Sequence, residues 1–147
     1  MYYIIKEKIH FFIVKPKQPK KKSRKSLIKK ADTVFSLWIR QRHAKNGMSE
    51  CVTCGKVDHF KKLQAGHFMS RKFYSTRWDE TNVQVQCAGC NVFRYGEQYK
   101  FSLWLESNIG QGTSENLSQK SKQLCKLANF ELEEIIEKYQ NKLDNLK

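Results

Sequence analysis

Acidic residues are scarce in this sequence. Only 14 Asp and Glu stand against 28 Lys and Arg, leaving a formal charge of +14 and a pI near 9.7 over 147 residues. Charge of this kind does not choose a fold, but it points to a polyanionic partner, most often nucleic acid. The plain alternative is a solvated basic surface, which the clustering of the basic residues disfavours. Long apolar runs are missing too. The partly apolar stretch Met1 to Val14 is broken by Lys6, Glu7, Lys8 and His10, and it is shorter than the ~20 residues a membrane-spanning helix needs. A membrane partner is therefore not expected. No secretory signal with a small-residue cleavage site is visible, and the five cysteines do not form a disulfide framework. A reducing, cytoplasmic setting is expected, with the paired cysteines held as metal thiolates. Cys125 is left over on an apolar stripe, where a buried free thiol is expected.

The chain length fits one domain with appendages. From Lys15 to Lys30 there are nine Lys or Arg and no acid, with Pro16 and Pro19 inside the run. Residues 1–25 read as a basic arm suited to phosphates, with salt-sensitive affinity. A helix is expected from about Leu27 to Lys45, capped by Ser26 and stopped by Asn46-Gly47. Its face carries Leu27, Ala31, Val34, Phe35 and Trp38. Arg40 and Arg42 on its other face are candidate DNA contacts. Short strands are expected at Lys62–Met69 and Asn82–Gln86. Ser70–Glu80 reads as a loop, Asp58-His59 as a turn, and a short helix should follow Asn91. A moderate helix is expected over Ser114–Ala128. A better-patterned last helix, capped by Asn129, presents Leu132, Ile135, Ile136, Tyr139, Leu143 and Leu146 to the core or to a second copy in a homodimer.

The organising stretch runs from Cys51-Val-Thr-Cys54-Gly to Gln86-Cys87-Ala-Gly-Cys90-Asn91. Cys51, Cys54, Cys87 and Cys90 have the spacing of one four-thiolate zinc site. A closed shell of that kind braces the fold and leaves no open position for chemistry. Chemistry then falls to residues that the metal positions. His67, near the end of the first strand, and Asn91, directly after the last cysteine, should come close together. A neutral imidazole can take a proton from water. An amide oxygen can help hold Mg²⁺ or Mn²⁺. Together they point to metal-assisted phosphodiester hydrolysis, although on spacing alone His67 can be a bystander. Arg71, Lys72 and Arg77 could grip phosphates, and Phe73, Tyr74 and Trp78 could either wedge at a junction or cover a small core.

The series Cys-x-x-Cys, Gly66-His67, Asn82, Cys-x-x-Cys-Asn91 resembles the ββα-metal, or HNH, nuclease motif in its zinc-braced form. The layout is similar to the phage endonuclease VII group of Holliday-junction resolvases. It is more similar still to the NinG (Rap) family of lambdoid phages. That similarity lies in Ala65-Gly-His67, Arg77-Trp-Asp-Glu80-Thr-Asn82, Gln86-Cys87-x-x-Cys90-Asn91, Ile109-Gly110 and Lys138-Tyr-Gln-Asn-Lys-Leu143, within roughly Ser26 to Lys147. The resemblance implies an α+β nuclease domain over 26–147. Within it lie a zinc-braced, treble-clef-like core over 51–95 and a helical extension over 97–147. It implies His67 as general base, also leaning toward a catalytic divalent metal, Asn91 as a ligand of that metal, and Asn82 as the residue that pins the loop between the strands. It further implies a phage- or prophage-encoded endonuclease acting in the bacterial host on branched DNA such as Holliday junctions and D-loops. One position departs from the motif. Many HNH nucleases carry Asp before the catalytic His, and here Gly66 stands there, so either His67 itself leans toward the metal or one of Asp79, Glu80 and Glu97 fills in. The rival expectations are a general or site-specific HNH nuclease of duplex DNA and a non-catalytic zinc DNA-binding module.

Overall fold

The computed structural model describes residues 22–146, so most of the basic arm expected at 1–25 lies outside the described residues. The fold is α+β, as expected: small antiparallel sheets among helices. Helix α1 (Arg24–Gln41) starts earlier than the apolar stripe suggests. Ser23, not Ser26, caps it, and its hydroxyl accepts the Ser26 N–H at 3.2 Å. It also ends earlier, at Gln41. Asn46 and Gly47 are left-handed, but they turn the chain between the bridged residues Lys45 and Met48 rather than capping the helix.

Strands β1 (Met48–Glu50) and β2 (Val57–His59) form a hairpin around the first cysteine pair. Asp58 and His59 thus lie in a strand, not the expected turn. Strands β3 (Gln64–His67) and β4 (Val83–Gln86) form the second hairpin, with Gln64 opposite Gln86 and His67 opposite Val83. The connection between them carries a short helix, α2 (Tyr74–Arg77), where a loop was expected. After β4 the chain makes a π-helical turn (Gly89–Phe93) through the second cysteine pair. Helices α3 (Gln98–Asn108), α4 (Thr113–Ser121) and α5 (Asn129–Asp144) follow.

Two apolar clusters hold these pieces. In the larger, Leu27, Ala31, Val34, Phe35, Trp38 and Ile39 of α1 meet Leu132, Tyr139 and Leu143 of α5 and the β4 valines. Phe35 meets the Tyr139 ring edge-on at 4.7 Å between centroids. Of the two packings open to the α5 stripe, the core takes Leu132, Tyr139 and Leu143, while Leu146 stays exposed. The smaller cluster seats Phe101, Leu105 and Leu117 against Val52, Phe68, Met69 and Trp104. Helix α4 stops at Ser121, so Leu124 is exposed and Cys125 only half-buried instead of lying on a helical core face. Helix α5 is entered through Glu131, whose carboxylate accepts the Ala128 N–H at 2.6 Å, and not through a cap at Asn129. No described helix is long and apolar enough to cross a membrane.

One packing detail fixes the central hairpin. Gln86 is fully buried. Its Nε2 donates to the Gly96 carbonyl at 2.9 Å and to the Thr53 hydroxyl at 3.3 Å, tying the two cysteine loops to each other. The rest of its carboxamide lies over Gly66, where an added Cβ would fall 2.6 Å from Gln86 Cδ and 2.9 Å from Cγ. Residue 66 is therefore glycine because Gln86 occupies the room of its side chain. Gly66→Ala, and Gly66→Asp more so, should lower stability by about 2 kcal/mol through overpacking. The check is the urea midpoint at fixed zinc concentration; an unchanged midpoint would mean that Gln86 moves aside without cost.

Candidate metal centre and adjoining cleft

The two cysteine pairs are delivered by similar local devices. Cys51 leaves β1, and the Gly55 N–H returns to the Cys51 carbonyl at 2.9 Å in a turn that needs the positive φ of Gly55 (73°). Cys87 leaves β4, and Cys90 sits in the π-helical turn. All four sulfurs lie within 4.8 Å of one another, with Cys54 and Cys87 Sγ 3.7 Å apart. A tetrahedron with Zn–S bonds of ~2.3 Å has edges of about 3.8 Å, so the four cysteines are placed where a metal such as zinc can take all of them. The surroundings suit thiolates. The Cys90 N–H points to Cys87 Sγ at 3.4 Å and Arg94 Nη2 to Cys90 Sγ at 2.9 Å. Against the cost of burial, hydrogen bonds led by the Thr53 hydroxyl pull Cys51 down to about 6. Despite an N–H bond from Lys56, burial and the neighbouring sulfurs push Cys54 up to about 12. Four crowded thiols cannot all lose their protons without a cation among them.

Beside this cluster lies a cleft of about 680 Å³. Its walls are Ser36 and Arg40 of α1, Gln64, Ala65 and His67 of β3, Ser70 and Arg71 of the following loop, and Asn91 and Val92 of the π-helical turn. His67 and Asn91 therefore face one space. His67 Nε2 lies 3.0 Å from the Arg77 carbonyl. A carbonyl only accepts, so Nε2 carries the proton of the neutral ring and Nδ1 keeps the lone pair. Burial pushes the His67 pKa down to about 4, against the Arg77 carbonyl bond and with help from the charge of Arg71. Asn91 Nδ2 donates to Gln64 Oε1 at 2.7 Å, leaving its Oδ1 with no hydrogen bond among the described residues.

Asn82 stands apart from the cleft. It is fully buried, accepts the Met69 N–H at 2.7 Å and donates to the Met69 and Thr76 carbonyls at 3.0 and 2.9 Å. Its side chain ties both ends of the β3–β4 connection.

The expected DNA-contacting cations separate into two groups. Arg77 is committed to Asp32, with Nε and Nη2 at 2.9 and 2.6 Å from the two carboxylate oxygens, and donates also to the Arg71 carbonyl. Arg42 donates to the Glu80 and Val83 carbonyls and to Gln84 Oε1, and stacks on Trp38. Each of these two side chains is thus engaged as a brace inside the fold. Arg40 is partly committed too, with Nε donating to the Ser36 carbonyl at 3.2 Å and Nη1 to the Phe60 and Leu63 carbonyls at 3.0 and 3.4 Å, while its side chain lines the cleft. Arg71 lines the cleft, and Lys72 is exposed over the Phe73 ring.

The expected substitute carboxylates are elsewhere. Asp79 pairs with Lys120, Glu80 with Lys142 and Tyr139, and Glu97 with Arg94 and Lys100. Among the described residues, no acidic side chain lines the cleft. Of the two roles open to the aromatics, Trp78 and Tyr74 take the core-covering one: Trp78 is buried and meets Tyr74 edge-on at 5.7 Å. Gln64 and Asp32, which hold Asn91 and Arg77, stand in no sequence motif, and the Gln86-Cys87 run does not signal that Gln86 ties the two cysteine loops together. Equally unsignalled is a run of left-handed residues, Tyr95 (φ 52°), Gly96 (86°) and Glu97 (49°), which costs about 1–3 kcal/mol at each of the two non-glycines.

The family profile described as "Bacteriophage Lambda NinG protein" matches residues 6–147. The chain is 28% identical over 127 residues to protein ninG of Escherichia phage 933W, covering 86% of this chain and 61% of that protein. It is 27% identical over 127 residues to protein ninG of Salmonella phage P22, covering 86% and 60%. Against protein ninG of Escherichia phage lambda it is 30% identical over 91 residues, covering 61% and 43%. The chain thus spans about three fifths or less of the curated relatives it matches. No solved structure shows a significant match to it. With its profile match running from residue 6 to the last residue, this chain belongs to the NinG family of bacteriophage proteins.

Proposed function

We propose that this protein is a metal-dependent DNA endonuclease of the zinc-braced ββα-metal type, acting on branched recombination intermediates. The observation that carries the proposal is the convergence of His67 and Asn91, from different elements, on one cleft that also holds Arg40 and Arg71. Zinc on the four cysteines would hold β4 and the π-helical turn against the first cysteine loop, and so hold Asn91 opposite His67. A phosphate entering the cleft meets Arg71 and part of Arg40. His67, with Nε2–H committed to the Arg77 carbonyl, presents Nδ1 to a water in line with the phosphorus and takes its proton. Asn91 Oδ1 would be a ligand of a divalent cation such as Mg²⁺ or Mn²⁺, which supplies charge stabilisation at the phosphate and the leaving oxygen. Asn82 holds the loop and does no chemistry.

A second reading has an observation of its own. Among the described residues the cleft has no carboxylate, and hard cations favour charged oxygen ligands; a binding module that holds DNA without cutting it would have no need of one. A nuclease of linear duplex DNA shares every residue of the first reading and differs only in substrate. One experiment sorts the three: a four-way junction and a linear duplex of the same sequence, in Mg²⁺ or Mn²⁺, with EDTA controls. Preferential cutting of the junction supports the proposal. Equal cutting supports the duplex nuclease. Binding without cutting in either metal sinks both enzymatic readings.

His67→Ala should lower the cleavage rate by about 100-fold or more, the usual scale for a general base, with zinc content and DNA affinity retained. Undiminished cutting would remove His67 from the mechanism. Since the His67 pKa is held at about 4, its lone pair remains available as pH falls from neutral and is lost only as pH passes through that value. The acid limb of kcat/KM should therefore lie well below the ~6.5 of an ordinary histidine; a limb centred near 6.5 would contradict the burial argument. Cys87→Ser should abolish stoichiometric zinc, read by atomic emission, and unfold the core, read by circular dichroism. A folded variant that still cuts DNA would mean that the four sulfurs are not the brace.

A further inference from the structure

The segment leaving the second cysteine pair carries three exposed rings. Phe93 is 77% exposed, Tyr95 89% and Tyr99 75%. They follow directly along the chain from Asn91 and Val92, which line the cleft. Rings of this size normally sit in a core or at an interface, and none of the three stacks on another ring among the described residues.

The backbone holds them out. Tyr95 and Glu97 are left-handed on either side of Gly96. The turn is fixed from below by the Gly96 N–H to the Cys90 carbonyl at 2.8 Å, the Glu97 N–H to the Arg94 carbonyl at 3.0 Å, and Gln86 Nε2 to the Gly96 carbonyl at 2.9 Å. A non-glycine residue persists in that conformation where its surroundings over-determine it, and such positions cluster at ligand clamps and functional sites. Here the constraint runs back to the cysteine centre, while the tyrosine that bears the strain is exposed and stacks on no ring among the described residues. The local charge suits a polyanion: the one carboxylate in the segment, Glu97, is already matched by Arg94 at 2.5 Å and Lys100 at 3.5 Å.

We propose that Phe93, Tyr95 and Tyr99 form a stacking platform at the rim of the cleft for open-faced bases at a DNA branch point. Linear duplex keeps its base faces covered by neighbouring pairs. Branch points and unpaired ends expose them, and aromatic side chains bind such faces with little regard to sequence. The proposal takes its partner, DNA, from the reading above, but concerns binding and not cutting.

The test measures binding in Ca²⁺ in place of Mg²⁺, using a three-way junction with 2-aminopurine at the branch and a linear duplex of matching sequence. Tyr95→Asn removes the ring while keeping a residue that tolerates the left-handed turn; Tyr95→Trp keeps a ring. Wild type should bind the junction and quench the 2-aminopurine. Combining Tyr95→Asn with Phe93→Ser and Tyr99→Ser should weaken junction binding about tenfold or more, with about twofold change or less on the linear duplex, and Tyr95→Trp should behave as wild type. Equal loss on both DNAs, no loss on the junction, or no junction binding by wild type would overturn the platform. So would a wild-type dimer that the triple variant abolishes in sedimentation, since the rings would then cover a second copy. Junction binding and quenching by a protein that cuts no DNA would overturn the nuclease reading and leave the platform standing.

Discussion

Asp32, midway along α1, accepts three hydrogen bonds at once: two from the Arg77 guanidinium and one from the Trp78 indole at 3.1 Å. The carboxylate is largely sheltered from water, so each of those donors would be left short of a partner without it. Its position governs more than a local ion pair. Fixing Arg77 fixes the end of α2, and the Arg77 carbonyl is the acceptor for His67 Nε2. The tautomer and aim of the imidazole thus descend from a residue on another helix. The same α1 carries Arg40 into the cleft and buries its opposite face against α5. The long apolar contact between the first and last helices is therefore what sets the wall against which the β3–β4 hairpin presents His67.

The other side of the cleft depends on the cysteine cluster. Gln86 couples the two cysteine loops through Thr53 and Gly96 and packs on Gly66. Gln64 then positions Asn91. These carboxamides do a job that the alternating pattern of β4 conceals. Asn-Val-Gln-Val-Gln predicts one apolar and one solvated face, yet the whole strand is buried. The polar face is turned inward because its glutamines hydrogen-bond the elements around them, including Gln84, which accepts from Arg42 at 2.5 Å. Burial of such groups normally requires their partners in place; Gln86 Nε2 has two, while its Oε1 has no hydrogen-bond partner among the described residues.

Some of this was legible in the sequence. The paired cysteines announce themselves because ligand spacing is short-range and chemically restrictive. Helices α1 and α5 are visible because their stripes extend over several turns. Strands β1 and β2, each three residues long, are too short to show a period. The roles of the arginines were the least readable, since composition records a charge but not its commitment. Arg42 and Arg77 look as available in the sequence as Arg71, and only the fold shows them bonded to carbonyls, a carboxamide and a carboxylate. Gly66 illustrates the same limit from the other side. Set against a motif it reads as a missing ligand, whereas in the fold it is the residue that lets Gln86 lie across the strand.

That last point reshapes the chemical problem. With the side-chain position at 66 filled by a buried carboxamide, and with Asp79, Glu80 and Glu97 paired elsewhere, the cleft is a basic one whose side-chain oxygen donors, among the described residues, are neutral amides and hydroxyls. A hard cation has little reason to settle there alone. It would find its charge balance in the phosphate of a bound strand, so that metal and DNA enter together rather than in sequence. His67 fits that order. Burial and the nearby charge of Arg71 keep it neutral and weakly basic, while a phosphate bound as proposed would oppose the charge of Arg71 and raise the basicity of the imidazole. The arrangement ties the strength of the proposed base to the presence of the substrate it would act on.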